Sequence, residues 1–280
     1  LLGMAYRVDT TGKIVVDEFG AGAIGQGMVN IVNKGSVDLD GQGAIGMFAK
    51  NNKVGTTFTN AVALNDTTGV ITTTGDKAVG MAGEEATLTN RGTINVNGQT
   101  GTGMFAKSNS KIENDGTINI ASSTSATETN IGIFTEDQNT VIENNKDIVG
   151  GNNTYGIFGK TITLGSPGRI KVGDNSVGIF SKGDTAAGYT VGTNTYKGSV
   201  VNSGTITSTG KAIGITYNGT GSGATDTRVT NDTAGKINLA GEGSVGIYGL
   251  GSNYHILNKG EITLGNSSNI STSPNVGVYT

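Results

Sequence analysis

Apolar residues fall on alternate positions along most of the chain, in phase with a recurring Asn-x-Gly-x-Ile phrase. One parity reads Val29, Ile31, Asn33, Gly35, Val37, Leu39 in an early copy and Ile112, Asn114, Gly116, Ile118, Ile120 in a later one. The other parity is mostly Thr, Ser, Lys, Glu and Asn, which is the two-residue period of a half-buried strand. A second phrase follows each first one after a gap, as in Gly46-Met47-Phe48, Gly132-Ile133-Phe134 and Gly178-Ile179-Phe180. Weaker first phrases at Thr10, Gly12, Ile14 and at Ser166, Gly168, Ile170 keep the phase. Two copies gain two residues (Asn65 to Gly69, Asn231 to Gly235), an even insertion that leaves Ile71 and Ile237 on the inward parity. The count is ten copies.

Taking the second-phrase glycine at 25, 46, 80, 103, 132, 156, 178, 214, 246 and 277 gives a mean step of (277 − 25)/9 = 28 residues. Such a unit holds two or three short strands and is too short for a propeller blade of roughly 40–45 residues. Long helices are disfavoured by 48 Gly in 280 residues. The fold predicted is all-β, a right-handed parallel β-helix of about ten coils stacked about 4.8 Å apart, a rod on the order of 50 Å long. Its inward corners fall at Asn33, Asn65, Asn90, Asn114, Asn144, Asn202, Asn231 and Asn258. Stacked amides there predict a hydrogen-bonded ladder, and Asn tolerates the left-handed backbone of a tight corner. That role is structural, not catalytic.

Composition narrows the function. The chain is 34% hydrophobic, 5% aromatic and 15% charged, with no Cys and no Trp, too regularly apolar for disorder and suited to a narrow core. Unbroken periodicity makes residues 1–280 one solenoid segment rather than two domains. The 19 Lys and Arg are scattered at a net charge of −3, with no basic stripe for nucleic acid. No apolar run approaches the roughly 18 residues of a membrane span, so this segment makes no membrane contact. Neither end carries the cap that a free solenoid end requires, so the sequence reads as part of a longer protein.

The two phrases, on a Gly-, Asn- and Thr-rich background, resemble the passenger of type V autotransporters. They are most similar to the very large fusobacterial outer-membrane adhesins of the RadD-like group. The resemblance runs from Thr10-Thr11-Gly12-Lys13-Ile14 to Gly277-Val278-Tyr279. It implies surface display through a C-terminal β-barrel and adhesion to a host-cell or bacterial surface protein or glycan receptor. No binding motif of that family can be matched to residues here.

Parallel β-helices also include pectin-degrading enzymes, which need acids clustered on neighbouring coils or Ca²⁺-binding carboxylates with a basic residue. Asp17-Glu18, Glu84-Glu85 and Glu136-Asp137 are adjacent in sequence and so point to opposite faces. Asp38 and Asp40 share a parity, but the next coil offers Thr72 and Thr74 there. Arg7, Arg91, Arg169 and Arg228 stand far apart in sequence, and His255 lacks a Ser, Cys or acid in register. The reading is non-enzymatic, with no catalytic residue, cofactor or metal. It leaves two roles, an adhesin that presents loops and a spacer with binding elsewhere.

Two surface features bear on that choice. Phe48, Phe105, Phe134, Phe158, Phe180, Tyr248 and Tyr279 form a column, interrupted by Ala82 and Thr216. Simple alternation would put Val177 and Ile179 on one face and Gly178 and Phe180 on the other. The expectation is that the strand bends at Gly and turns each ring into a core corner, since a ring exposed in every coil would make an unusually large apolar patch. The alternative is a row of exposed rings for sugars or partners. Surface insertions are placed near 49–62, 121–130, 181–199, 216–228 and 265–275. The longest, Gly183 to Gly198, carries Tyr189 and Tyr196 among Thr, Asn and Gly, a composition suited to recognition.

Overall fold

The structure is a computed structural model; it describes residues 5–27, 29–51, 61–137, 139–183, 189–191, 194–196, 199–221 and 226–280. Three parallel sheets of ten strands each wrap around one axis, making the ten-coil right-handed parallel β-helix that the repeat predicts. The first sheet runs from Ala5–Val8 to His255–Asn258, the second from Lys13–Val16 to Glu261–Leu264 and the third from Ala21–Gln26 to Val276–Tyr279. Each strand pairs in parallel with the equivalent strand of the next coil, so the chain climbs one strand spacing per turn.

Second-sheet strands obey strict alternation, as in Thr117–Ile120, where Ile118 and Ile120 are buried and their neighbours half-buried. The core is a stack of Ile, Val, Leu, Met and Ala columns with no exposure at Ile71, Ile94, Ile118, Ile148 and Ile170. Third-sheet strands break that rule. In Ser176–Lys182 both Gly178 and Ile179 are buried, and Val177 and Phe180 are the half-exposed pair. Alternation across the second phrase is therefore corrected: the strand kinks at Gly and both residues turn inward. Pairing skips the glycines, with Thr102 opposite Ile131 and Met104 opposite Ile133. A Cβ on Gly132 would stand 2.6 Å from the carbonyl oxygen of Gly156 in the next coil, and one on Gly156 the same distance from that of Gly178. Only a residue without a side chain lets successive coils approach this closely.

Register fixes three assignments. Ala23 pairs with Met47 and Ile24 with Phe48, so the second-phrase glycine of the first coil is Gly22, not Gly25. Val8 pairs with Asn33, and Leu164 lies between Asn144 and Asn202 in the first sheet. The corner positions of the weaker copies are thus Val8 and Leu164, not Thr10 and Ser166. These two copies carry the same two extra residues as the Asn65 and Asn231 copies.

The left-handed residues lie elsewhere than expected. No ladder Asn has a positive φ; each sits in or at the end of a strand. Positive φ occurs instead three residues before the second-phrase glycine, at Phe19, Gly43, Lys77, Thr100, Asn153, Asn175 and Gly243, where the chain turns from the second sheet into the third. It occurs again where the chain leaves the third sheet for the first, at Gly27, Glu85, Ser108, Asn109, Gly251 and Asn253.

Candidate functional site

Three surfaces need to be weighed: the corner between the first and second sheets, the outer face of the third sheet, and the insertions.

The first corner is closed by asparagine. Asn33, Asn65, Asn90, Asn114 and Asn144 are fully buried. The amide Nδ2 of each donates to the Oδ1 of the next, over 2.8, 2.8, 2.8 and 2.7 Å. Leu164 interrupts the series, which resumes from Asn202 to Asn231 and from Asn231 to Asn258 at 2.7 Å each. Every donor points toward the following coil. The corner itself is short and carries no long insertion, since the inward amide ties each turn to its neighbours. For Asn114→Leu, the Asn90 amide loses its acceptor and the Asn144 carbonyl its donor. A loss of about 1–3 kcal/mol is expected for buried partners left unpaired, read as a lower denaturant midpoint. An unfolding curve that overlays the wild type would remove the ladder from the stability of the rod.

The third-sheet rings face outward, which corrects the expectation of a core corner. Phe48, Phe105, Phe134, Phe158, Phe180 and Tyr248 are all half-buried on the outer face. Phe105 stacks on Phe134 at 5.6 Å between centroids, and Phe158 on Phe180 at 4.8 Å and 7°. Phe134 meets Phe158 edge-on at 5.3 Å, and Tyr155 stands at right angles to both Phe158 and Phe180. The kink at Gly explains the outcome: turning Gly and Ile inward forces the next residue out. From Phe105 to Phe180 each ring packs on the ring of the adjoining coil, so the apolar patch is smaller than a row of isolated rings would make, while Phe48 lies between Ile24 and Ala82. In the stacked pairs Phe105–Phe134 and Phe158–Phe180 one face of each ring that a sugar could stack on is taken by its neighbour. Beside them runs a ladder of charges in which Glu84 bridges Lys50 and Lys107 at 3.1 and 3.4 Å. The hydrogen bond from Lys50 holds the Glu84 carboxyl below its ordinary pKa.

The described insertions avoid the asparagine corner. Residues 121–129 and 265–275 join the second sheet to the third, and Gly183–Ser199 and Gly221–Asp226 join the third to the first. The stretch placed at 49–62 joins the same two sheets, but 52–60 lie outside the described residues. Within 181–199 a small antiparallel hairpin pairs Tyr189–Val191 with Asn194–Tyr196, setting Tyr189 opposite Tyr196. The side chains of both tyrosines lie outside the described residues. Residues 216–220 do not leave the rod as a loop. They prolong the third-sheet strand Ala212–Thr220, which continues alongside Val245–Ser252 through Gly219–Gly251 and Thr220–Ser252.

Coils seven to nine are therefore widened at the foot of the hairpin, and the added layer has its own small core. Tyr217 is fully buried with its ring 4.6 Å from that of Tyr254, whose hydroxyl donates to the Leu250 carbonyl at 3.3 Å. Burial raises the Tyr254 phenol above its usual pKa. Arg228, at a register shift in the strand Thr227–Asn231, is also fully buried and pairs with Asp226 at 2.8 Å. By alternation with Val229 and Asn231, Arg228 falls on the outward parity of the strand Thr227–Asn231, and it is the register shift between Thr227 and Val229 that buries it.

The carboxylates give one pair that alternation alone overlooked. Glu113 and Glu143 are Cα partners on adjoining coils, and the Lys111 ammonium lies 2.5 Å from the first and 3.1 Å from the second. The repeated Ile-Glu-Asn at 112–114 and 142–144 was their signature. The Lys111 ammonium bridges the two carboxylates and ties the adjoining coils together on the surface of the first sheet. Asp38 instead faces Thr72 in the next coil and pairs with Lys13 at 2.9 Å. His255 is exposed opposite Thr227. Among the described residues no three His, Cys, Asp or Glu side chains converge where they would hold a metal.

Comparison with known proteins gives one family. The family model described as the BigA third pectate lyase-like domain matches residues 5–147, which is 147 − 5 + 1 = 143 of 280 residues. No curated protein matches the chain. Among solved structures, the crystal structure of a TibC-catalysed, hyperglycosylated TibA fragment spanning 55–350 aligns at 16% identity over 98% of this chain and 99% of that one. Its TM-score is 0.23, and an overlap that loose carries no argument about fold or function.

Proposed function

The chain belongs to the family of the BigA third pectate lyase-like domain, and from that membership we propose that it is a passenger segment of a bacterial cell-surface adhesin. In this reading the ten coils are a rigid stalk, and the insertions present recognition surfaces to a host-cell or bacterial receptor, protein or glycan. The observation that carries it is the widened third sheet of coils seven to nine. Its strands of seven, nine and eight residues outgrow the five or six of the earlier coils, and the first of them leads into the Tyr189–Tyr196 hairpin. A spacer needs no such elaboration, whereas recognition elements in repeat proteins are loops carried on a fixed core.

A pure spacer is the second reading. It is favoured by the asparagine and aromatic ladders, which lock coil to coil without help from the insertions. Replacing Tyr189 and Tyr196 by Ala separates the two. Aromatic side chains commonly dominate small interfaces, so adhesion to receptor-bearing cells should fall while the melting temperature stays within about 2 °C of wild type, a shift worth less than about 1 kcal/mol. Undiminished adhesion with display confirmed would favour the spacer.

A further inference from the structure

The outer face of the second sheet is Thr and Asn in coils four and five, at Thr93, Asn95, Thr117 and Asn119, and it changes character in coils six to eight. There Asp147, Arg169 and Thr205 are successive Cα partners in one column, and Val149, Lys171 and Thr207 in the next. These six residues, with Ile148 beneath, line a hollow of about 260 Å³. Its floor is apolar, since Val149 is 40% exposed on a face otherwise polar nearby. Its wall is a pre-set cation. Asp147 takes Nε and Nη2 of Arg169 at 2.7 and 2.9 Å, which fixes the guanidinium plane and leaves its Nη1 edge toward solvent. Lys171 stands one strand repeat away on the same face and has no acid within 4.0 Å among the described residues. Thr205 and Thr207 add two hydroxyls across the hollow.

We propose that this hollow is a subsite for a carboxylate-bearing sugar within a glycan, a second recognition surface separate from the hairpin. The parts match that ligand by chemistry. A planar guanidinium held from one side accepts a carboxylate in its plane, and a neighbouring ammonium completes the charge. Threonine hydroxyls serve as both donor and acceptor for sugar hydroxyls, and the exposed Val149 receives the apolar face of a pyranose. An acidic peptide would use the same cations but leave the two hydroxyls and the apolar floor without a role. The chain's net charge of −3 works against general anion binding, so selectivity must come from this local arrangement.

The test uses the whole purified chain in calorimetric titrations with four probes: a glucuronate-bearing oligosaccharide, a sialylated one, a sulfated one and a neutral counterpart. At least one carboxylated probe should bind, the neutral counterpart should not, and added salt should weaken the affinity. Lys171→Gln, which disturbs no ion pair, should lower that affinity about tenfold, the scale of one charge-assisted hydrogen bond. Arg169→Gln should do at least as much, and Thr205→Val should weaken binding without changing the salt dependence. Failure of every carboxylated probe to bind, equal binding of the neutral probe, binding of the sulfated probe alone, or wild-type affinity in Lys171→Gln would overturn the proposal. Loss of adhesion in the tyrosine variant bears only on the hairpin, so the two readings fail separately.

Discussion

Arg228→Met is expected to destabilise the C-terminal coils by about 3–5 kcal/mol, the scale for removing one member of a buried ion pair. Arg228 has no exposed surface and the Asp226 side chain only 8%. With the guanidinium gone, a carboxylate stays in a site too dry to solvate it. The damage should be local. In a solenoid each coil rests on its neighbours, so opening should begin in coils eight to ten while the first five keep their protection. Hydrogen exchange resolved along the chain reads this directly, and the strands Thr227–Asn231 and Val245–Ser252 should lose protection first. The compensating double variant, Asp226→Leu with Arg228→Met, should recover most of the loss, because an apolar pair of similar volume removes both charges together. Wild-type protection in the single variant would mean the pair lies within reach of water.

That ion pair also marks the limit of what the pattern of residues discloses. The coil count, the sheet alternation and the inward asparagines follow from a period-two apolar pattern carried through ten copies. The kink in the third sheet does not follow, because alternation assumes that every strand residue flips. Gly178 and Ile179 both turn inward. A glycine placed invariably before the apolar residue is consistent with either parity until the close approach of the next coil is seen. The rings were misplaced for another reason: a ring exposed in every coil was expected to make too large an apolar patch, whereas Gly178 and Ile179 turn inward together and leave Phe180 outside. Register errors at Thr10 and Ser166 have another origin. Counting back from glycine assumes a fixed corner length, and the copies at Val8 and Leu164 lack the amide that would have marked the true corner.

The surface was less legible than the core for a physical reason. Inward positions answer to one constraint, packing against the coils above and below, and so they repeat. Outward pairings are made between residues on different coils, 22 apart for Asp147 with Arg169 and 34 apart for Lys50 with Glu84. These emerge only after the coil length of each turn is known, and insertions vary that length. A hollow such as the one over Val149 requires three coils aligned at once.

Gly156→Val carries the other large effect, and it tests the kink. A Cβ at this position would lie 2.6 Å from the Gly178 carbonyl oxygen and 2.7 Å from Ile170 Cγ2. The oxygen belongs to the backbone of the paired coil and cannot rotate away as a side-chain tip would. Two further methyl groups on a β-branched side chain make relief by a rotamer change impossible. Overpacking of a filled core costs typically 1–3 kcal/mol and occasionally more, and a clash with backbone belongs at or above about 3 kcal/mol. Because the fault severs coil six from coil seven, unfolding should change from one transition to two, with the shorter C-terminal block melting first. Protease cleavage should concentrate in the strand Thr154–Gly159 and its partner Ser176–Lys182. Gly277→Val is the control, since a Cβ there meets nothing within 4 Å. If the two variants unfold alike, close approach at the second-phrase glycine is not what holds successive coils in place.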